Sequence, residues 1–138
     1  MTSDADNRTP VNQATSKAVI AALSRQFEGM LPDLVAAITA DIAALGQQGA
    51  ERPAILARLR AAVHDLKGQG ASFGYPLITE FGMSLSHLLF RLSDIDEAAM
   101  TRIVLHGDLL TTVAAHRISG DGGEMGQALR AGLARAMA

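Results

Sequence analysis

The chain has no cysteine and no tryptophan, two lysines against ten arginines, and only five aromatic residues, Phe27, Phe73, Tyr75, Phe81 and Phe90, in 138. Without cysteine there is neither a disulfide framework nor a thiolate zinc site, and a cytoplasmic setting fits. So few aromatics argue against a β-sandwich or barrel, whose strands draw on aromatic and β-branched side chains. The formal net charge is −2 and the basic residues are scattered, which leaves no stripe for nucleic acid or an anionic membrane. The most apolar stretch, Leu34 to Leu45, is interrupted by Thr39 and Asp41 and is too short to span a bilayer. Met1 to Ser16 is polar and lacks the apolar core of a signal peptide. What is present instead is alanine and leucine, in a chain 49% hydrophobic. These favour helix, and the length suits one domain.

Hydrophobic spacing divides the chain. Residues 1–15 show no periodicity and predict an irregular tail. Ile20, Leu23 and Phe27 predict a first helix, a lid, ending near Gly29. Leu31, Leu34 or Val35, Ile38, Ile42 and Leu45 predict a second, stopped by Gly46. Pro53 opens a third, with Leu56, Leu59, Val63, Leu66, Gly70 and Phe73 along one seam and Gly74 as its stop. Pro76 opens a fourth, carrying Ile78, Phe81, Leu85, Leu88 and Leu92. Asp94 with Glu97 reads as a capping box before a fifth helix bearing Met100, Ile103, Leu110 and Val113. Gly120, Gly122 and Gly123 make a joint, and Met125 to Met137 predict a short last helix. The expected fold is all-α. It is an up-and-down antiparallel four-helix bundle over residues 16–118, with an N-terminal lid helix and, over 119–138, a glycine joint and C-terminal helix.

The third helix holds the one constellation with chemistry in it. With the seam centred on Leu59, Val63 and Leu66, His64 lies roughly 130° away, on the side facing water. Ala57, Arg60, Ala61, Gly68 and Ala71 share that side, with Lys67 on its flank. The surface is therefore an imidazole with a cation one turn away on either side and almost no other side chain. A neutral imidazole is a competent nucleophile near neutral pH. If it took a phosphoryl group, Lys67 could balance part of the added charge. Gly68 leaves clearance above the ring, although a mid-helix glycine costs roughly 0.5–1 kcal/mol. A lone surface histidine ordinarily does nothing; its neighbours change that reading here.

His64-x-x-Lys67-Gly68, small residues after it, Phe73-Gly74, and Gly82 in the next helix together resemble the signature of histidine-containing phosphotransfer (HPt) domains, across about residues 17–118. The resemblance implies a monomeric, cytoplasmic phosphoprotein of a two-component phosphorelay. His64 would accept a phosphoryl group from an aspartyl phosphate on the receiver domain of a hybrid histidine kinase and pass it to the receiver of a response regulator. It implies no autonomous kinase activity and no cofactor of the chain's own, with Mg²⁺ supplied by the partner receiver. Arg60, Ala61, Gly68 and Ala71 would form the docking surface, and Ser86 is the nearest polar candidate to orient the ring. An alternative is an HPt-like helical module that docks a receiver or kinase without transferring phosphate. Asp65, directly after the histidine, also resembles dimeric kinase-type phosphotransferases, which a solution mass would separate from a monomeric bundle. His87, His106 and His116 have no helical spacing to one another that would build a metal site.

Overall fold

The structure, a computed structural model, describes the backbone of residues 2–47, 49–92 and 94–138, with side chains from Ala14 onward. Its elements are α1 (Thr2–Leu45), α2 (Arg52–Gly70), a 3-10 turn (Ala71–Phe73), α3 (Pro76–Arg91), α4 (Glu97–Ala115) and α5 (Gly123–Met137), with no strand among the described residues. Nor is any described helix long and apolar enough to cross a membrane. The irregular tail expected over 1–15 is not what the backbone shows, since α1 already begins at Thr2; the side chains of residues 1–13 lie outside the described residues.

The expected break between a lid and the first bundle helix is absent: α1 runs 44 residues without interruption. Gly29 costs the helix about 1 kcal/mol, and Pro32, which removes one backbone hydrogen bond and crowds the carbonyl four residues back, about 3 kcal/mol. Against that, Phe27, Leu31, Val35, Ile38, Ile42 and Leu45 are all buried. Their spacing never slips phase, so burial on both sides of the glycine holds one helical register. The start of the expected stripe is not core. Residues 14–23 are exposed, with Ile20 at 53% and Leu23 at 43%.

Four helices pack in a closed cycle: α1 against α2 and α4, and α3 against α2 and α4. The expected α2 seam is buried at Leu59, Val63, Leu66 and Gly70, with Ile55 rather than Leu56 completing it. In α3, Leu77 and Leu89 are fully buried beside Ile78, Phe81 and Leu85, whereas Leu88 and Leu92 are only half-buried. A helix wedged between two others buries a wider arc than one a/d stripe. Gly107 is packing, as its place on the α4 seam suggests: an added Cβ would stand 3.0 Å from Ile42 Cδ1.

Turn chemistry sets the corners. Gly74 adopts φ +92°, open to glycine without strain, and the Tyr75 N–H then reaches back to the Gly70 carbonyl at 2.8 Å. The α4 cap is Asp96, not Asp94: Asp96 Oδ1 accepts from the Ala99 N–H at 2.8 Å. Glu97 is already the first helical residue, too early to close a capping box. Asp94 accepts instead from the Ile95 N–H at 2.9 Å, and Ser93 lies outside the described residues. The last helix returns onto the others. Leu129 and Leu133 pack on the core, and Arg130 Nε pairs with both Glu80 carboxylate oxygens at 2.9 Å.

Candidate functional site

His64 stands exposed on the outer side of α2, with exposed Ala57, Ala61, Gly68 and Ala71 on the same surface. Its ring makes no hydrogen bond among the described residues. An added Cβ at Gly68 would meet nothing within 4 Å. The protein's own packing therefore does not require this glycine, although the helix would be more stable without it. Gly70, one turn from the surface, is the opposite case: its Cβ would lie 2.8 Å from the Tyr75 carbonyl oxygen and 2.9 Å from Ile78 Cβ. Gly70 lets α2 and α3 close on each other, whereas Gly68 leaves open space.

Lys67 is half-buried at the α2–α3 seam. A Cβ on Gly82 would come within 2.9 Å of Lys67 Cβ, so the bare glycine is what lets α3 approach here. That approach sets Ser86 against the lysine: Lys67 Nζ donates to Ser86 Oγ at 3.4 Å. Ser86 was the expected support for the His64 ring. Its short side chain is spent on Lys67 instead, one turn from the close approach that Gly82 allows. Arg60 is likewise engaged, its Nη2 donating to the Leu89 carbonyl at 2.7 Å. Leu89 lies in the last turn of α3, where carbonyls have no intrahelical partner.

Two residues of α3 that periodicity did not single out follow from contacts to α2: Thr79 bonds to Ala71, and Phe90 is next in the chain to Leu89, whose carbonyl Arg60 holds. Thr79 Oγ1 donates to the Lys67 carbonyl and accepts from the Ala71 N–H, both at 2.7 Å. Phe90 on α3 is 84% exposed, and Met83, also exposed, falls on the same side of that helix. A period of 3.6 finds core residues; Phe90 departs from the seam, and that departure was its only signal.

The other histidines are set apart by environment. His106 is fully buried in α4, its Nδ1 2.6 Å from the Arg102 carbonyl and its Nε2 2.8 Å from Ser84 Oγ. A carbonyl only accepts, so Nδ1 carries the proton and Nε2 accepts from the serine hydroxyl. Burial pushes the His106 pKa below its ordinary 6.5, against a smaller raising effect of the Arg102 carbonyl. Below pH 6.5 the unfolded chain binds a proton that the folded chain refuses, so stability holds above that pH and falls as acid is added beneath it. Urea unfolding from pH 7.5 to 5 should show this loss, and it should shrink in His106→Gln. Equal slopes in the two proteins would remove His106 as the cause. His87 and His116 are exposed, but neither has a lysine and a glycine on the turn that follows. Among the described residues no group of three or more histidine, cysteine or carboxylate side chains could hold a metal ion.

No family model matches the chain, and neither the curated proteins nor the solved structures contain a match to it.

Proposed function

We propose that this protein is a phosphorelay carrier: His64 accepts a phosphoryl group from a receiver domain's aspartyl phosphate and passes it to the receiver of a response regulator. The observation that carries the proposal is Gly68. An exposed imidazole has, one turn further on, a glycine that no contact among the described residues explains, and beside that glycine a lysine whose ammonium lies at the α2–α3 seam. Clearance for an incoming macromolecule accounts for a residue that intrachain packing does not. The closed cycle of α1 to α4 fits an up-and-down four-helix bundle, an architecture that presents one helix face to a partner without a cleft.

In the transfer, the unprotonated Nε2 of His64 attacks phosphorus in line with the acyl oxygen. The N–P bond forms as the P–O bond breaks, and both electrons of that bond leave with the receiver's carboxylate. The proton on Nδ1 stays with the ring. The ammonium of Lys67 balances part of the charge on the new phosphoimidazole. Exposed Ala61, Gly68 and Ala71 make the flat bed on which the receiver closes, with Arg60 at its edge. The chain supplies the nucleophile and its surroundings; the receiver supplies the phosphoryl group and its own Mg²⁺. No ATP-dependent step belongs to the chain. A cytoplasmic monomer is the form this reading expects.

A panel of receiver domains, each charged as the aspartyl phosphate, tests the proposal. Acid-labile, base-stable label should pass to the protein; a helical docking module would bind a receiver and stay unlabelled. Gly68→Gln should slow transfer from the receiver about tenfold or more, for the cost of one obstructed contact. Its melting temperature should hold or rise, since glutamine is the better helix former by a few tenths of a kcal/mol. Unimpaired transfer in this variant would refute the clearance role.

A further inference from the structure

Three residues of α3 converge on Lys67. Thr79 takes its carbonyl, Gly82 lies beneath its Cβ, and Ser86 accepts from its ammonium. Their spacing of three and four places them on one side of the helix. In an unbroken α2, the Lys67 carbonyl would accept from the Ala71 N–H four residues on. Thr79 Oγ1 stands between those two groups and bonds to both at 2.7 Å, and the backbone tightens there into the 3-10 turn Ala71–Phe73. The lysine is thus held to α3 at both ends, by its backbone and by its charged tip.

We infer that Thr79, Gly82 and Ser86 are positioning residues for Lys67. They keep its ammonium at the α2–α3 seam, one turn from the His64 ring, and through it they set how long a phosphoryl group survives on His64. The inference rests on the phosphoacceptor reading of His64. None of the three touches the reacting atoms. A free lysine on a helix surface samples many rotamers and loses that freedom when it pairs; here much of the loss is taken on folding. An ammonium has three donors, so Nζ can retain Ser86 while another N–H turns to the phosphoryl oxygens. The Ser86 contact, at 3.4 Å, is long and neutral on one side. A phosphoryl oxygen offers the ammonium an opposite charge as well as a shorter hydrogen bond, which a hydroxyl does not, so Ser86 guides the ammonium without capturing it.

Phosphoramidate serves as the phosphoryl donor, so that loading needs no docked protein; its P–N bond breaks, His64 Nε2 takes the phosphoryl group and ammonia leaves. The measurement is the half-life of the label at neutral pH, alongside the melting temperature. Lys67→Ala should shorten the half-life about tenfold, Thr79→Val about threefold to tenfold and Ser86→Ala about twofold, as expected for partial loss of one charge-assisted contact. Thr79→Ser keeps the hydroxyl and should restore the wild-type half-life. In a Lys67→Ala background, Thr79→Val and Ser86→Ala should have no further effect on the half-life, while their effects on melting persist. A purely structural role for Thr79 would lower the melting temperature and leave the half-life alone, which would overturn the proposal by itself. So would an unchanged effect of Thr79→Val in the Lys67→Ala background. A wild-type chain that takes no label from phosphoramidate or from charged receivers would overturn the phosphoacceptor reading and this inference with it.

Discussion

His64→Gln should take no phosphoryl label at all and should unfold at the same denaturant concentration as the wild type. Both halves follow from position. The His64 side chain is exposed and makes no hydrogen bond among the described residues, so replacing it with another polar helix former shifts stability by less than about 0.5 kcal/mol. The glutamine amide has no nucleophilic lone pair to offer phosphorus, so uptake falls to background rather than by a partial factor. His106 cannot substitute, being fully buried between α3 and α4, with its Nε2 lone pair held by Ser84. His87 and His116 are accessible but neither has a lysine three residues on. Acid-labile label persisting in His64→Gln would move the site to one of those two and end the assignment. A protein that lost label only because it unfolded would reveal itself in the melt.

The second large effect is on the fold, and α3 carries its own control. Phe81 has no exposed surface, whereas Phe90 is 84% exposed. Phe81→Ala should cost about 3–5 kcal/mol, the lost transfer free energy plus the cavity left among packed neighbours. In a domain of this size that is a fall of about 10–15 °C in melting temperature, a large part of a typical stability margin. Phe90→Ala should change stability by less than about 0.5 kcal/mol. Its effect should appear in docking instead: an exposed aromatic ring next in the chain to Leu89, which Arg60 holds, is the kind of side chain that anchors a partner. The receiver concentration needed for half-maximal transfer should rise about tenfold. If Phe81→Ala melted within a few degrees of the wild type, the core described above would be wrong. If Phe90→Ala docked normally, that side of α3 would lie outside the interface.

Most of the helices could be read from spacing, because burial on one side of a helix repeats every three or four residues whatever the neighbours are. The stripe from Leu31 to Leu45 and the α2 seam from Leu59 to Gly70 are buried as periodicity predicts, while Leu56 and Phe73 at its ends are half-buried. The misread places share a cause. Gly29 and Pro32 are helix breakers by local propensity, yet the seam runs through them in phase, and tertiary burial outweighs about 4 kcal/mol of local cost. Asp94 and Asp96 are both cap residues by type; the fold decides between them, since extended Asp96 accepts from the N–H three residues on, whereas Asp94 accepts from the N–H of its neighbour Ile95. Ile20 and Leu23 fit a helical stripe, but among the described residues no helix packs over them enough to bury them.

His64, Lys67 and Gly68 could be picked out together because they lie within five consecutive positions, where helix geometry alone fixes their relation. Their support could not. Thr79, Gly82 and Ser86 come from another helix, and which of its sides meets α2 depends on the Gly74 turn and on how closely Gly70 and Gly82 let the backbones approach. The scarcity of lysine already marked Lys67 in the sequence, as one of two in the chain. That its carbonyl is held by Thr79 and its ammonium by Ser86, and that Ser86 therefore does not steady His64, was decided only when α3 packed against α2. A side chain's reach depends on the distance between two backbones, and the order of residues in one helix does not set that distance.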